Sequence, residues 1–366
     1  MEKFFNNAGP SVPTDHYIID PLQRIEIDQI EQFIAQKRYF IFQAPRQSGK
    51  TTCLLELMNH LNQQGRYQTL YANVESAGVV SGDMQEEMRN ICYTIAYRAE
   101  TYLNDTRLLG KVDELLTTSI SVALTELLTY WARITNKPTV LFLDEVDTLA
   151  GDTLVSLLSQ IRAGYAQRPH NFPISIVLCG VLLDSRIHTL VTGSSAFNIR
   201  AKSLRLGNLE RQEVSDLWLQ HTKETGQVFD QAIFPELWKD TRGQPWLVNA
   251  LSYELTWESN RLQNRNILIT LKDYWQARKS LIQSGTTHLD QLTNRLKEGR
   301  VHSVVTTLLS NKLSKESLSS DDIRYVVDLG LVESHPKLRI SNRIYQEIIP
   351  RELIATKKNT IEHQQL

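Results

Sequence analysis

Residues 44–52 read APRQSGKTT and stand between a short apolar run, residues 38–44 (RYFIFQA), and a segment of helical periodicity that includes Leu54 and Leu57. A strand, a glycine-containing loop and a helix in this order form the context of a Walker A phosphate-binding loop. Backbone N–H groups at the start of the helix can bind a phosphate there, and the helix dipole favours its negative charge. The stretch therefore predicts an α/β nucleotide-binding fold.

Individual side chains of this loop match particular tasks. Gly49 permits close approach of the backbone to a phosphate, the Lys50 ammonium reaches the β- and γ-phosphate oxygens, and the Thr51 hydroxyl is placed for Mg²⁺. Ala44 stands where the motif usually has its first glycine, which is tolerable if φ stays below zero there. The predicted ATP-binding set is Ala44, Pro45, Arg46, Gln47, Ser48, Gly49, Lys50, Thr51 and Thr52.

A second motif follows the apolar residues 139–143 (TVLFL), which lead directly into Asp144, Glu145, Val146 and Asp147. An acidic pair at the carboxyl end of a buried strand is typical of a Walker B motif. Asp144 is placed to hold the hydration shell of Mg²⁺, and Glu145 to polarise the water that attacks the γ-phosphate. Together the two motifs predict a Mg²⁺-dependent ATPase with Lys50 and Glu145 as catalytic residues and Thr51 and Asp144 at the metal.

Five short apolar runs predict the strands of a mostly parallel sheet: residues 38–44, 67–74, 139–143, 174–179 and 203–209. Four are nearly continuous in apolar residues, as strands covered on both faces must be, whereas the last alternates and is predicted at an edge. Residues 83–136 predict two or three helices between strands. The expected core is thus a P-loop NTPase with a five-stranded sheet.

Changes in periodicity divide the chain into five segments. Residues 1–32 form an N-terminal segment, residues 33–210 the ATPase core, and residues 211–287 an α-helical lid, in which Val214, Leu217, Trp218 and His221 share one helix face. Residues 288–356 combine helices with a short hairpin, the order of a winged helix, and Ser320 is the predicted N-cap of one of these helices. A polar tail, residues 357–366, completes the chain.

The composition restricts the class of protein. Lys and Arg total 40 against 41 Asp and Glu among 366 residues, so no general field attracts nucleic acid or an anionic membrane. No apolar run approaches the ~18 residues of a membrane span, and the N-terminus does not read as a secretory signal. The three cysteines show no C-x-x-C spacing. A cytoplasmic protein of two or three domains is expected.

Downstream arginines are candidates for a catalytic finger that senses phosphate or acts in trans. Arg200 is the first choice, because it directly precedes the fifth apolar run, with Arg186 and Arg205 as alternatives. A surface salt bridge is the competing interpretation for each. The fourth run ends in Cys179, Gly180 and Val181 and therefore has no Asn or Thr at its carboxyl end.

The order of several segments resembles bacterial AAA-like ATPases related to the STAND and archaeal-ATPase groups. The segments are HYIIDPLQRIE (16–26), APRQSGKTT (44–52), VLFLDEVD (140–147), SAFNIRAKSLRLGNL (195–209), GQPWLV (243–248) and the terminal winged helix. The resemblance covers nearly the whole chain. It implies that Tyr17 and Arg24 contact the adenine and that Pro245 belongs to a lid over the base. The local sequence equally allows Pro245 simply to begin a helix.

Three functions remain open at this point. The resemblance implies an ATP-dependent switch that controls a partner protein or self-association, in defence or signalling. The alternative is a DNA-binding ATPase, similar to replication initiators or transposition regulators, that uses the winged helix. A slow or inactive nucleotide-binding scaffold is the third. Residues 291–366 hold 12 Lys and Arg against 9 Asp and Glu. The presumed DNA-reading helix begins at Ser320 and carries Asp321 and Asp322 at its start and Asp328 at its end, so DNA binding ranks second. The basic residues available are Lys337, Arg339, Arg343 and Arg351.

Overall fold

The computed structural model describes residues 2–78, 83–149, 151–181, 203–284, 289, 292, 294–310 and 318–364, with side chains up to residue 354. Contacts divide the chain into two compact units. The helical unit comprises Met1–Asp20, Pro45–Gly49 and Gly207–Leu366, and the sheet unit comprises Pro21–Ala44 and Lys50–Leu206.

The sheet unit contains five parallel strands. They are β1 (Phe40–Gln43), β2 (Gln68–Asn73), β3 (Thr139–Asp144), β4 (Ser175–Gly180) and β5 (Ser203–Arg205). Their order is β2-β3-β4-β1-β5, and every pairing is parallel. The predicted α/β P-loop fold with a five-stranded parallel sheet is confirmed, as is the edge position of the fifth strand.

Helices cover both faces of this sheet: a 3₁₀ turn (Pro21–Arg24), α1 (Ile27–Ala35), α2 (Lys50–Gln63), α3 (Glu75–Gly78), α4 (Met84–Leu103), α5 (Arg107–Thr118), α6 (Ile120–Ile134) and α7 (Gly151–Ala163). Alternate residues of a strand face opposite sides, so Val140 and Phe142 belong to the core beneath α1 and α2, and Leu141 and Leu143 to the core beneath α4–α7. Burial on both faces explains why β1, β3 and β4 are nearly continuous in apolar residues.

The strand register aligns the carboxyl ends of β1, β2, β3 and β4 on one side of the sheet. Gln43 of β1 lies beside Gly180 of β4, Leu143 of β3 beside Leu178 of β4, and Asn73 of β2 beside Asp144. Residues that directly follow these strands are consequently neighbours, although they are far apart in the sequence.

The helical unit is built from α8 (Arg211–Thr225), α9 (Ile233–Thr241), α10 (Pro245–Tyr253), a π-helical turn (Glu254–Glu258), α11 (Leu271–Gln283), α12 (Gly299–Leu309), α13 (Ser320–Asp328) and α14 (Arg343–Gln364). Two short antiparallel strands, β6 (Val332–Glu333) and β7 (Arg339–Ile340), lie between α13 and α14. The residues that share the predicted α8 face, Val214, Leu217, Trp218 and His221, are all buried.

Two local predictions need correction. The N-cap of α13 is Ser319 rather than Ser320, because its hydroxyl accepts the Asp321 N–H at 3.2 Å and the helix starts one residue earlier. The last helix, which the sequence pattern places around residues 343–353, continues to Gln364. Residues 351–364 contain neither Gly nor Pro and are rich in good helix formers, which favours the extension.

The domain boundaries inferred from the sequence stay predictions. The predicted boundary at residue 287 lies outside the described residues, and the predicted N-terminal segment, residues 1–32, is divided between the two units at Asp20 and Pro21. The helix, helix, hairpin, helix order of α12 to α14 is the predicted one, and its assignment as a winged helix stays a prediction. Within the described ranges no helix has the length and apolar character needed to cross a bilayer.

Candidate nucleotide-binding site

The loop after β1 has the backbone shape that its sequence predicts. The buried Ala44 donates its N–H to the Gly180 carbonyl at 3.2 Å and keeps φ below zero, so alanine is tolerated at the first motif position. Gln47 and Gly49 have φ of 55° and 86°, which turns the chain before α2 begins at Lys50. The Ser48 hydroxyl is buried without a hydrogen-bond partner in the described part of the chain. Buried donors are normally paired, so a ligand oxygen would fit here.

Lys50 is the central cation of the site. Its side chain is only 5% exposed, and its ammonium lies 2.7 Å from Oδ1 of Asp144 and 2.7 Å from Oε1 of Glu145. Burial works against the charged form, but Asp144 and then Glu145 outweigh it, so the pKa of Lys50 is raised above its ordinary value. The lysine remains a cation at any physiological pH.

Asp144, the last residue of β3, connects the groups around it. Its side chain is fully buried, and Oδ1 also accepts the Glu145 N–H at 2.9 Å. Oδ2 accepts the Tyr71 hydroxyl at 2.9 Å and the Thr51 hydroxyl at 3.2 Å. Hydroxyl and carboxylate oxygens are the ligands that Mg²⁺ prefers, so Thr51 and Asp144 form a suitable pair for this ion.

Tyr71 on β2 was missed by the sequence reasoning. Burial, and after it the Asp144 carboxylate, raises the pKa of Tyr71, so its hydroxyl stays a donor. The available signal was a tyrosine inside a buried strand, because such a hydroxyl needs a partner nearby.

Glu145 adopts an unusual backbone conformation. Its φ of 59° and ψ of 32° are left-handed, which is uncommon for a residue other than glycine. The conformation starts a 3₁₀ turn (Val146–Thr148), and the Thr148 hydroxyl donates to the Glu145 carbonyl at 2.6 Å. Burial raises the pKa of the Glu145 carboxyl, and the Lys50 ammonium opposes this shift.

The remaining predicted contacts are dispersed. Tyr17 is buried in the helical unit, where its ring lies 4.7 Å from Phe5 and its hydroxyl 3.3 Å from Nδ1 of His221. Arg24 is half-buried in the first 3₁₀ turn of the sheet unit. Contact of either residue with an adenine stays a prediction. Arg200 and its alternative Arg186 lie outside the described residues, whereas Arg205 is exposed on β5.

Pro245 begins α10, as one of its two interpretations predicted. The side chain of the N-cap Gln244 accepts the Leu247 N–H at 2.6 Å, and proline is suited to the first helical position because it needs no N–H partner. Gln244 also donates to the Gln47 carbonyl at 3.4 Å within the helical unit. Contact of Pro245 with an adenine stays a prediction.

A parallel α/β sheet whose first strand leads through this loop into α2, with an acidic pair after β3, defines a P-loop protein. Residues 11–348 match the AAA-like domain family, and the chain belongs to that family. The fold is similar to the Walker-type ATPase PABY2304 of Pyrococcus abyssi (TM-score 0.65, 13% identity, covering 94% of this chain and 99% of that one). It is also similar to the Aeropyrum pernix ORC2 protein, solved as ADPNP–ADP complexes (TM-score 0.53, 13% identity, covering 91% and 94%). No curated protein matches the sequence.

Proposed function

We propose that this chain binds ATP with Mg²⁺, hydrolyses it and works as a nucleotide-controlled switch for a partner protein or for self-association. The observation that carries the proposal is the triad at the sheet edge, in which the buried Lys50 ammonium lies 2.7 Å from both Asp144 and Glu145. A buried cation next to a glycine loop and a helix N-terminus suits the binding of a polyphosphate.

Each residue of the site has a separate task. Lys50 and the backbone of the loop hold the phosphates, and Thr51 with Asp144 holds the metal. When bound, Mg²⁺ neutralises charge that develops on the phosphate oxygens. Glu145 accepts a proton from the attacking water, and the Tyr71 hydroxyl, 2.9 Å from Oδ2, keeps the Asp144 carboxylate oriented.

The same contacts supply a basis for switching. A phosphate that binds Lys50 competes with Glu145 for one ammonium group, so nucleotide binding changes the charge that Glu145 faces. Because Glu145 begins the Val146–Thr148 turn, the competition couples phosphate occupancy to the backbone next to β3. A ligand can shift a conformational equilibrium only through such differential contacts.

The similar structures support nucleotide binding, but they do not indicate whether the nucleotide controls a partner protein, self-association or DNA binding. One is named a Walker-type ATPase and the other was solved with ADPNP and ADP, both at 13% identity. The DNA-binding alternative is weaker, since Arg339, Arg343 and Arg351 of the predicted basic patch are each paired with a carboxylate.

A phosphate-release assay of the full chain, with and without duplex DNA, tests the proposal. We expect Mg²⁺-dependent release from ATP without DNA. Release only in the presence of DNA would favour the DNA-binding alternative, and tight ATP binding without release would favour a scaffold. Failure to bind ATP would refute the site.

A further inference from the structure

The carboxyl end of β4 lies between those of β3 and β1, yet in the part of the chain that the structure describes, which ends here at Val181, it contributes no polar side chain. In the strand order β2-β3-β4-β1-β5, β4 lies between the strand that leads into the phosphate-binding loop and the strand that ends in Asp144. Cys179 is fully buried, and burial raises the pKa of its thiol far above the ordinary value, so it stays neutral. Gly180 has no side chain, and Val181 is apolar.

The side chain of Asp147 occupies the space that β4 leaves open. A Cβ placed on Gly180 would lie 2.8 Å from Cγ of Asp147, closer than real Cβ contacts allow. The Val181 N–H donates to Oδ2 of Asp147 at 3.2 Å. The carboxylate is therefore anchored on the end of β4 although it belongs to the turn that follows β3.

The turn that presents Asp147 is held from two sides. Within the turn, the Thr148 N–H and hydroxyl both donate to the Glu145 carbonyl, at 3.1 and 2.6 Å. On its outer side, a Cβ on Gly78 would lie 2.6 Å from the Thr148 carbonyl oxygen, so α3 packs directly on the turn. Glu145 and Asp147 are thus fixed relative to each other.

We infer that Asp147 is a positioning residue for the proposed hydrolysis, supplying from the turn after β3 the polar group that the described end of β4, residues 179–181, lacks and holding Glu145 in line with the attacking water. The inference rests on the proposed function. Asp147 takes no proton and forms no covalent bond, because the proton of the water goes to Glu145. Its carboxylate, anchored by the Val181 N–H, fixes the turn against β4 and adds a hydrogen-bond acceptor at the sheet edge.

Electrostatics agree with this placement. The groups that face Glu145 are Lys50 from α2, Asp144 from β3 and Asp147 from its own turn. Burial is the main cause of the raised pKa of Glu145, and Asp144 and Asp147 add to it, whereas Lys50 opposes it.

Removing the Asp147 carboxylate and placing a polar side chain at Gly180 of β4 instead tests the inference. Asp147→Ala should lower kcat for phosphate release by about 10- to 100-fold, the usual effect of removing a group that orients the residues around a metal site. KM and nucleotide affinity should change little, because Asp147 holds no phosphate. Asp147→Asn keeps the shape and the acceptor for Val181, so its kcat should lie between those of Asp147→Ala and the wild type.

Two double variants separate positioning from simple filling of space. In Asp147→Ala/Gly180→Asn the polar group returns from β4, whose backbone accepts a side chain because φ at Gly180 is not positive, and most of the lost kcat should return. Asp147→Ala/Gly180→Ala refills the space with a methyl group and should regain thermal stability but not kcat. Asp152→Ala, at an exposed position of α7, is the matched control.

The outcomes are distinct. An unchanged kcat in Asp147→Ala, or equal recovery in both double variants, would overturn the inference, and thermal melting identifies any variant that fails to fold. If the wild-type chain binds ATP but releases no phosphate, the proposed function fails and the inference fails with it.

Discussion

The Lys50 ammonium and Oε1 of Glu145 are 2.7 Å apart, so the predicted phosphate-binding cation and the predicted base form a direct ion pair. Lys50 is 5% exposed and Glu145 19%, and the fully buried Asp144 completes the group with one positive and two negative charges. Buried charges are tolerated only when they are paired, so loss of one member changes the stability of the others as well as their chemistry.

Lys50→Ala should abolish ATP binding, because it removes the ammonium that lies beside Asp144 and Glu145. It should also destabilise the sheet unit by about 3–5 kcal/mol, the usual cost of removing one partner of a buried ion pair. Titration with a fluorescent ATP analogue, together with urea denaturation, measures both effects. Lys279→Ala, at an exposed position of α11, is the control. Wild-type ATP affinity in Lys50→Ala would refute the assignment of the site.

Glu145→Gln should keep ATP bound and stop its hydrolysis. The amide preserves the size of the side chain but loses the negative charge that activates water, and general-base catalysis typically contributes about 10²- to 10⁴-fold. Affinity for ATP should not fall, because a neutral amide at this position competes less for the Lys50 ammonium. Single-turnover phosphate release and analogue titration measure the two properties. Undiminished turnover would move the base to another carboxylate.

The sequence predicted those features that depend on local pattern. Continuous apolar runs identified the strands, and the rule that parallel strands end at one edge explains why Lys50 and Glu145, 95 residues apart, meet. The functional roles of these residues stay predictions. Their spatial proximity, by contrast, is observed.

Contacts that depend on register between distant strands could not be predicted. Tyr71 reaches Asp144 because β2 pairs with β3 in one particular register, and Asp147 reaches Gly180 because the turn after β3 folds towards β4. Neither the pairing of β2 with β3 nor the direction of the turn after β3 is encoded by local composition. Gly180 at the end of β4 was the available signal, since glycine in a strand often marks a close approach of other atoms.

Acid should destabilise the helical unit through His221, which is fully buried. Gln227 donates through Nε2 to the Leu262 and Ile267 carbonyls, so we assign its Oε1 as the acceptor for Nε2–H of His221, 2.9 Å away. Nδ1 of His221 then accepts the Tyr17 hydroxyl. In this neutral tautomer both ring nitrogens of His221 have a partner, and burial lowers the pKa of His221 below its ordinary value of 6.5.

The direction in which stability changes with pH follows from proton binding. The unfolded chain takes up a proton at His221 near pH 6.5 and the folded chain does not, so stability is retained above pH 6.5 and lost as pH falls below it. The slope from this residue is at most about 1.4 kcal/mol per pH unit. The free energy of unfolding, measured by urea denaturation between pH 7.5 and 5.5, should fall less steeply with decreasing pH in His221→Gln than in the wild type. Equal slopes would show that His221 does not cause the effect.

Asp240 should be the most sensitive ion-pair residue of the helical unit. Its fully buried carboxylate accepts the Tyr274 hydroxyl at 2.7 Å, Nε of Arg278 at 2.9 Å and Nε of Arg343 at 2.6 Å, which joins α9, α11 and α14. Asp240→Ala leaves two guanidinium groups without this partner and should cost about 3–5 kcal/mol in the free energy of unfolding.

The control for Asp240 is a pair at the surface. Arg351, which is 60% exposed, pairs with Glu347 one turn away, and Arg351→Ala should change the free energy of unfolding by less than about 0.5 kcal/mol. Urea denaturation of both variants gives the comparison. If the two variants lose a similar free energy of unfolding, the buried contacts of Asp240 stabilise the protein no more than an exposed ion pair does.

DNA binding by the full chain should be weak, because few phosphates can be neutralised. Of the four basic residues in the predicted patch, Arg339 pairs with Glu333, Arg343 with Asp240 and Arg351 with Glu347, and within the described residues only Lys337 has no ion pair. Each phosphate neutralised adds about 0.9 to the slope of log affinity against log salt. We therefore expect a slope no steeper than about 2 in anisotropy titrations with labelled duplex, and an affinity that Lys337→Glu reduces. Tight binding that resists salt would promote the DNA-binding ATPase over the switch.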